Sequence, residues 1–171
     1  MRGGWGLTRD AEWLVSMLTA ELDLRPPRSI EAERVRLESG KPILLRDEAG
    51  RLVAHGSLRR LGRGWELVTL VVEPSRRGEG LSHRLVEAAV ERVGSTATLH
   101  SWTKSPALAK SLLDAGFRRT RWLGLAVGAH LSLLSATRVV AQLLRLEWRR
   151  TAHQIINLGR YKLYVLDSKK R

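Results

Sequence analysis

The chain has 171 residues, 43% of them hydrophobic, with 15 glycines and 5 prolines; this suits one domain with a sizeable core and excludes a disordered or low-complexity protein. Cysteine is absent, which excludes a disulfide scaffold, a cysteine-ligated zinc site and a cysteine nucleophile. The net charge of +13 is uneven: residues 1–117 hold 18 basic and 15 acidic side chains, whereas residues 118–171 hold 12 and 2.

Thr8 is a cap for a first helix reaching Glu21, with Trp13, Leu14, Met17 and Leu18 along one face. Pro26-Pro27 breaks it, and Ser29 to Ser39 predicts a short second helix stopped by Gly40. Strand-like runs follow at Pro42–Arg46, Leu52–Leu61 and Trp65–Val72, joined by turns at Asp47–Gly50 and Gly62–Gly64, the pattern of an antiparallel meander. Leu81 to Val93 is amphipathic, with Leu81, Leu85, Val86, Ala89 and Val93 on the apolar side. A strand is expected at Ala97–Thr103 and a helix from Ser105-Pro106 to Ala115-Gly116. Beyond it come a strand at Phe117–Leu123, a long helix over residues 131–154, and a closing strand at Arg160–Asp167. The class is α+β, around one mixed sheet.

The turn Glu73–Gly80 is where chemistry concentrates. It lies between a strand and a helix, so successive backbone N–H groups point outward at a positive helix end, which suits a phosphate. Gly78 and Gly80 let an anion come close, since no side chain stands in the way. A plain turn with a helix cap explains the same glycines.

The residue order resembles the GNAT superfamily of acyl-CoA-dependent N-acyltransferases. That family's motif is a strand ending in Val-x-Pro, then Arg-x-x-Gly-x-Gly/Ala, then a helix. Val72, Pro74, Arg77 and Gly80 match it, and Ser82 replaces the last small residue. Gly116-Phe117 and Ala109 resemble the family's second motif. The family's first strand is nearly missing, with only Trp5–Leu7 available for it.

The resemblance implies a GNAT-like, mostly antiparallel central sheet with helices on both faces, splayed at the acyl-CoA site. It implies a single domain over residues 1–171, in which 118–156 form a basic, helical insertion before the last strand. Acetyl-CoA is the implied co-substrate. The backbone of Leu70, Val71 and Val72 would hold its acyl and pantetheine arm, and the amides of Arg77, Gly78, Glu79, Gly80, Leu81 and Ser82 its diphosphate. The reaction would be direct transfer to a primary amine in a ternary complex.

Glu66 is the candidate group for binding the amine or ordering a water. Its structural alternative is an ion pair with Arg59 or Arg60. Strand alternation puts Glu66, Val68, Leu70 and Val72 on one face. Many family members carry a tyrosine as general acid where this chain has Leu112. Ser105, Tyr161 or Tyr164 are candidate replacements, or the thiolate leaves unaided; His100 is a candidate relay or a core histidine.

The five histidines lack paired ligand spacing, so no metal is expected. The basic C-terminal third suggests either an RNA contact or the solvated face of a helix packed on the core or on a second subunit, as in a homodimer. The amine substrate is a small molecule or peptide in the first reading. An RNA-linked or ribosomal amine, or a non-catalytic CoA-binding module, are the alternatives. No secretory signal or transmembrane segment is apparent, so a cytoplasmic chain is expected.

Overall fold

The computed structural model describes residues 4–121, 152–153, 156–157 and 160–168. Its elements in chain order are α1 (Gly4–Ala20), α2 (Ile30–Glu38), β1 (Ile43–Arg46), β2 (Leu52–Leu61), β3 (Gly64–Val72), a 3-10 turn (Pro74–Arg76), α3 (Leu81–Val93), β4 (Leu99–Thr103), α4 (Pro106–Asp114), β5 (Arg118–Thr120) and β6 (Lys162–Leu166). The strands form one sheet in the order β1-β2-β3-β4-β6-β5. The pairs β1–β2, β4–β6 and β5–β6 are antiparallel. Trp65 N–H donates to the Thr98 carbonyl at 2.8 Å, so β3 and β4 start side by side, as a helical crossover produces. The mixed, mostly antiparallel α+β architecture is the expected one.

The chain divides into two compact units, Met1–Leu58 with Leu67–Arg92, and Arg59–Glu66 with Val93–Arg171. In the first unit α1 places Leu7, Ala11, Leu14 and Leu18 at helical spacing, and these pack with Leu37 of α2, Val71 of β3 and Leu44 of β1. The helix starts at Gly4 rather than at Thr8, because Leu7 has a place in this cluster and burial outweighs the cap. Trp5–Leu7 are therefore helical, and no strand precedes α1 among the described residues. Ser29 caps α2 as expected, accepting from Ala32 N–H, and Gly40 closes it with φ +66°.

The opposite face of β1 and β2 packs on α3. A Cβ on Gly56 would touch Leu85 at 3.6 Å, Leu67 at 3.7 Å and Ile43 at 3.9 Å. All five apolar positions expected for α3 are buried. Leu67 thus faces α3, while Val71 faces α1 and α2. Strict alternation would put both on one side. The reversal coincides with Thr69, which has φ +55°, a left-handed conformation rare for a β-branched residue.

In the second unit Ser105 caps α4 and Pro106 opens it, while Gly116, at φ +87°, lets the chain turn toward buried Phe117. The expected strand Phe117–Leu123 is short, Arg118–Thr120, and pairs with β6; residues 122–123 lie outside the described residues. Gly64 is a close approach: a Cβ there would sit 2.6 Å from the Thr98 carbonyl oxygen. Most of the predicted long helix over residues 131–154 also lies outside the described residues.

Candidate active site

The bend after β3 is held from two sides. Glu73 N–H donates to the Val53 carbonyl at 2.9 Å, and its carboxylate accepts from the indole Nε1–H of Trp13 on α1. Arg77 pairs with Glu21, just past the end of α1, at 2.7 Å. Arg76 pairs with Glu79 at 2.6 Å, with Asp47 at 3.9 Å. Both arginines therefore have carboxylate partners, and the Arg76 contact draws the Glu79 carboxyl below its ordinary range.

The amides of this bend differ in what they bond. Arg76 N–H is taken by the Glu73 carbonyl at 2.9 Å. Arg77 and Glu79 N–H make long internal bonds of 3.4 Å, which are weak. Gly78, Gly80 and Leu81 N–H meet no acceptor among the described residues. Gly78 and Gly80 have φ of +95° and +74°, and a Cβ at either would meet nothing within 4 Å. Residues 77–80 are exposed, and α3 starts at Leu81. Amides without acceptors at a helix N-terminus, beside left-handed glycines, are an arrangement that suits an anion. Ser82 is half-buried on the first turn of α3.

Upstream on β3, Leu70 and Val72 are half-buried and Val71 is buried against α1 and α2, so the core takes the Val71 side chain and only its backbone remains to offer a ligand. The kink at Thr69 is tied by His55 of β2, whose Nδ1 lies 3.1 Å from the Thr69 carbonyl oxygen. Since a carbonyl only accepts, the proton sits on Nδ1. Nε2 is then an acceptor for the Ser57 hydroxyl at 3.4 Å. His55 is wholly buried, and that burial, reinforced by the cations Arg25 and Arg36, drives its pKa down to about 4 against the hydrogen bond it donates to Thr69 and the charge of Glu33. Sequence reasoning missed His55 because a histidine in an apolar strand carries no mark of its partner.

In the second unit Glu66 is buried and bound by Arg59, whose Nε and Nη2 both reach Oε2. Oε1 accepts from nothing among the described residues. Arg60, the other candidate partner, lies instead 4.3 Å over the Trp65 ring. His100 is buried with Nδ1 3.2 Å from the Trp65 carbonyl, the core role considered for it. Ser105 is exposed and its hydroxyl accepts from Leu108 N–H at 3.4 Å. Its own O–H remains for donation. Leu112 is fully buried, and Tyr164 is buried on β6 opposite Ser101, while Tyr161 precedes that strand half-buried.

The acetyltransferase (GNAT) family model matches residues 10–123. The chain belongs to the GNAT acetyltransferase family. Several solved structures share this fold. Rv2747 of Mycobacterium tuberculosis, crystallised with CoA, superposes with a TM-score of 0.66 at 13% identity, covering 94% of this chain and 95% of its own. Neisseria gonorrhoeae N-acetylglutamate synthase, with coenzyme A and N-acetyl-glutamate, gives 0.57 at 16% identity over 91% of this chain but 32% of its own. A phosphinothricin acetyltransferase of Sinorhizobium meliloti, with acetyl-CoA, gives 0.55 at 14% identity over 66% and 72%. No curated protein matches this acetyltransferase in sequence.

Among the described residues of this GNAT chain, no three His, Cys, Asp or Glu side chains gather as a metal site, and no helix is long and apolar enough to cross a membrane. The expected RNA-contacting or dimer-forming helix of the basic third lies largely outside the described residues.

Proposed function

We propose that this chain is an N-acetyltransferase that moves an acetyl group from acetyl-CoA to a primary amine by direct attack. The observation that carries the reading is the bend at Gly78–Leu81, where the amides of Gly78, Gly80 and Leu81 lack acceptors among the described residues and the exposed glycines leave room for a diphosphate. Acetyl-CoA supplies a thioester open to attack by a neutral amine. The amides from Arg77 to Ser82 hold the diphosphate, and the backbone of Leu70, Val71 and Val72 holds the pantetheine arm. Val72 N–H steadies the charge that develops on the thioester oxygen.

Amines are mostly protonated at neutral pH, with ordinary pKa values of about 8 for an α-amine and about 10.4 for lysine. With Oε2 occupied by Arg59, Glu66 offers Oε1 to the amine or to a water that takes its proton. The amine nitrogen bonds to the acyl carbon as the carbon–sulfur bond breaks. Ser105 donates its O–H toward the sulfur in this reading, since Leu112 has no proton to give. The CoA complexes of the solved structures similar to this chain support the cofactor assignment.

The test is thermal. Acetyl-CoA at millimolar concentration raises the melting temperature by linkage, and a panel of amines then releases free thiol from it. A chain that millimolar acetyl-CoA leaves unstabilised would end this reading.

A further inference from the structure

The glutamates of α2 are all committed. Glu31 and Glu38 flank Arg34, at 2.7 and 2.5 Å. Glu33 is fully buried and takes both terminal nitrogens of Arg25, at 2.6 and 2.8 Å, together with the Arg28 backbone N–H at 3.1 Å. Arg36, on the same helix, has no such partner. Its guanidinium makes no hydrogen bond or ion pair among the described residues, and its Nε is buried without an acceptor. Burial, then repulsion from Arg25 and Arg28, lowers its pKa against a smaller attraction from Glu33, whose carboxylate Arg25 already holds. A cation held half out of water beside other cations is unfavourable until an anion joins it.

Arg36 lines a recess of 280 Å³ together with Arg28, Val35, Ser39, Lys41 and Ser57. No carboxylate lines it, and the side chains of Arg28 and Lys41 likewise have no ion pair among the described residues. Three cations and the Ser57 hydroxyl around a small volume make a site for one compact anion, below the ~300–1,000 Å³ of drug-sized pockets; the Ser39 O–H is taken by the Arg36 carbonyl at 2.6 Å.

We propose that this recess binds a small molecule through a carboxylate or phosphate group, with Arg36 as the principal contact and Arg28, Lys41 and the Ser57 hydroxyl around it. The site does not depend on acetyl transfer. It has a built-in line to β3: the Ser57 hydroxyl bonds His55 Nε2 at 3.4 Å, and His55 Nδ1 bonds the Thr69 carbonyl at 3.1 Å. An anion that draws the Ser57 proton to itself changes the hydrogen bonding of the His55 ring, and so of the kinked residue.

Calorimetric titration of the full chain with inorganic phosphate and with succinate, against chloride at equal ionic strength, tests the site. Saturable one-site binding of at least one probe is expected, weakened tenfold or more by Arg36→Gln and unchanged by Arg34→Gln. The stronger probe identifies the phosphate or carboxylate class. The His55 ring resonances shift with the same saturation curve. In chloride, Arg36→Gln melts at or above the wild-type temperature, because it removes an unbalanced charge. Lys41→Met with Ser57→Ala provides a second test should the first variant fail to fold, and weakens the same probe. The proposal is overturned if neither probe saturates, if Arg36→Gln leaves the binding intact and so assigns it elsewhere, or if Arg36→Gln folds but melts several degrees lower.

Discussion

The Nδ1–H of His55 on β2 donates to the carbonyl of Thr69 on β3 across 3.1 Å, and Thr69 is the one described residue other than glycine with positive φ. The bond anchors the kink at which β3 stops alternating, between Leu67 facing α3 and Val71 facing α1 and α2. A left-handed β-branched residue costs about 1–3 kcal/mol and persists only where its surroundings fix it.

The burial of His55, which outweighs that bond, makes stability depend on pH. The folded His55 pKa is about 4, against an ordinary 6.5. The unfolded chain binds a proton below 6.5 that the fold refuses until about 4. The contribution is therefore fully present above pH 6.5 and is lost as pH falls toward 4, by about 3 kcal/mol in all. Denaturant titrations across this window are expected to show the loss in wild type and a much flatter profile in His55→Gln, where other groups still titrate.

Thr69→Gly removes a Cβ from a left-handed position. A glycine inside an ordinary strand weakens it, whereas here relief of strain offsets the added chain entropy. The midpoint of urea unfolding is expected to stay within about 0.5 kcal/mol of wild type or to rise. A loss above about 1.5 kcal/mol would show that Thr69 is not strained.

Gly80→Ala separates fold from ligand. The new Cβ meets no atom within 4 Å, so the cost is that of φ +74°, about 1–2 kcal/mol. It also stands beside amides assigned to the diphosphate. Loss of one charge-assisted hydrogen bond there weakens CoA by about 10-fold or more, read by calorimetry. CoA affinity equal to wild type would place the diphosphate elsewhere.

Glu66→Gln keeps shape and removes charge. Arg59 loses its counter-ion but is 35% exposed, so water offsets much of the loss and stability falls by about 1–2 kcal/mol. If Oε1 serves the amine, kcat falls by about 10²-fold, a common size for a general base, while CoA affinity holds. Unchanged kcat would reduce Glu66 to the ion pair alone.

Gly64→Ala tests the start of β3. Its Cβ would press to 2.6 Å on the Thr98 carbonyl oxygen, a backbone atom with little freedom to yield. A loss of about 1–3 kcal/mol in thermal or urea unfolding is expected.

Local chemistry read from the sequence was enough for most of the described elements. The period of Leu81–Val93 marked the buried face of α3, and Ser29, Gly40, Ser105 and Gly116 marked helix ends, because capping and side-chain spacing act within a few residues. The arginine-glycine turn between strand and helix was legible for the same reason, and with it the GNAT family. Partners far apart along the chain were not legible. Only the folded chain put His55 under Thr69, Arg59 on Glu66 and Trp13 on Glu73. Only it left Arg36 without a carboxylate while Arg25 took Glu33. Thr69, a strong strand former, gave no warning of a left-handed backbone, since what holds it there is a hydrogen bond from a neighbouring strand. Spacing along a chain fixes which face a side chain takes while the backbone stays regular; where packing bends the backbone, tertiary contacts decide.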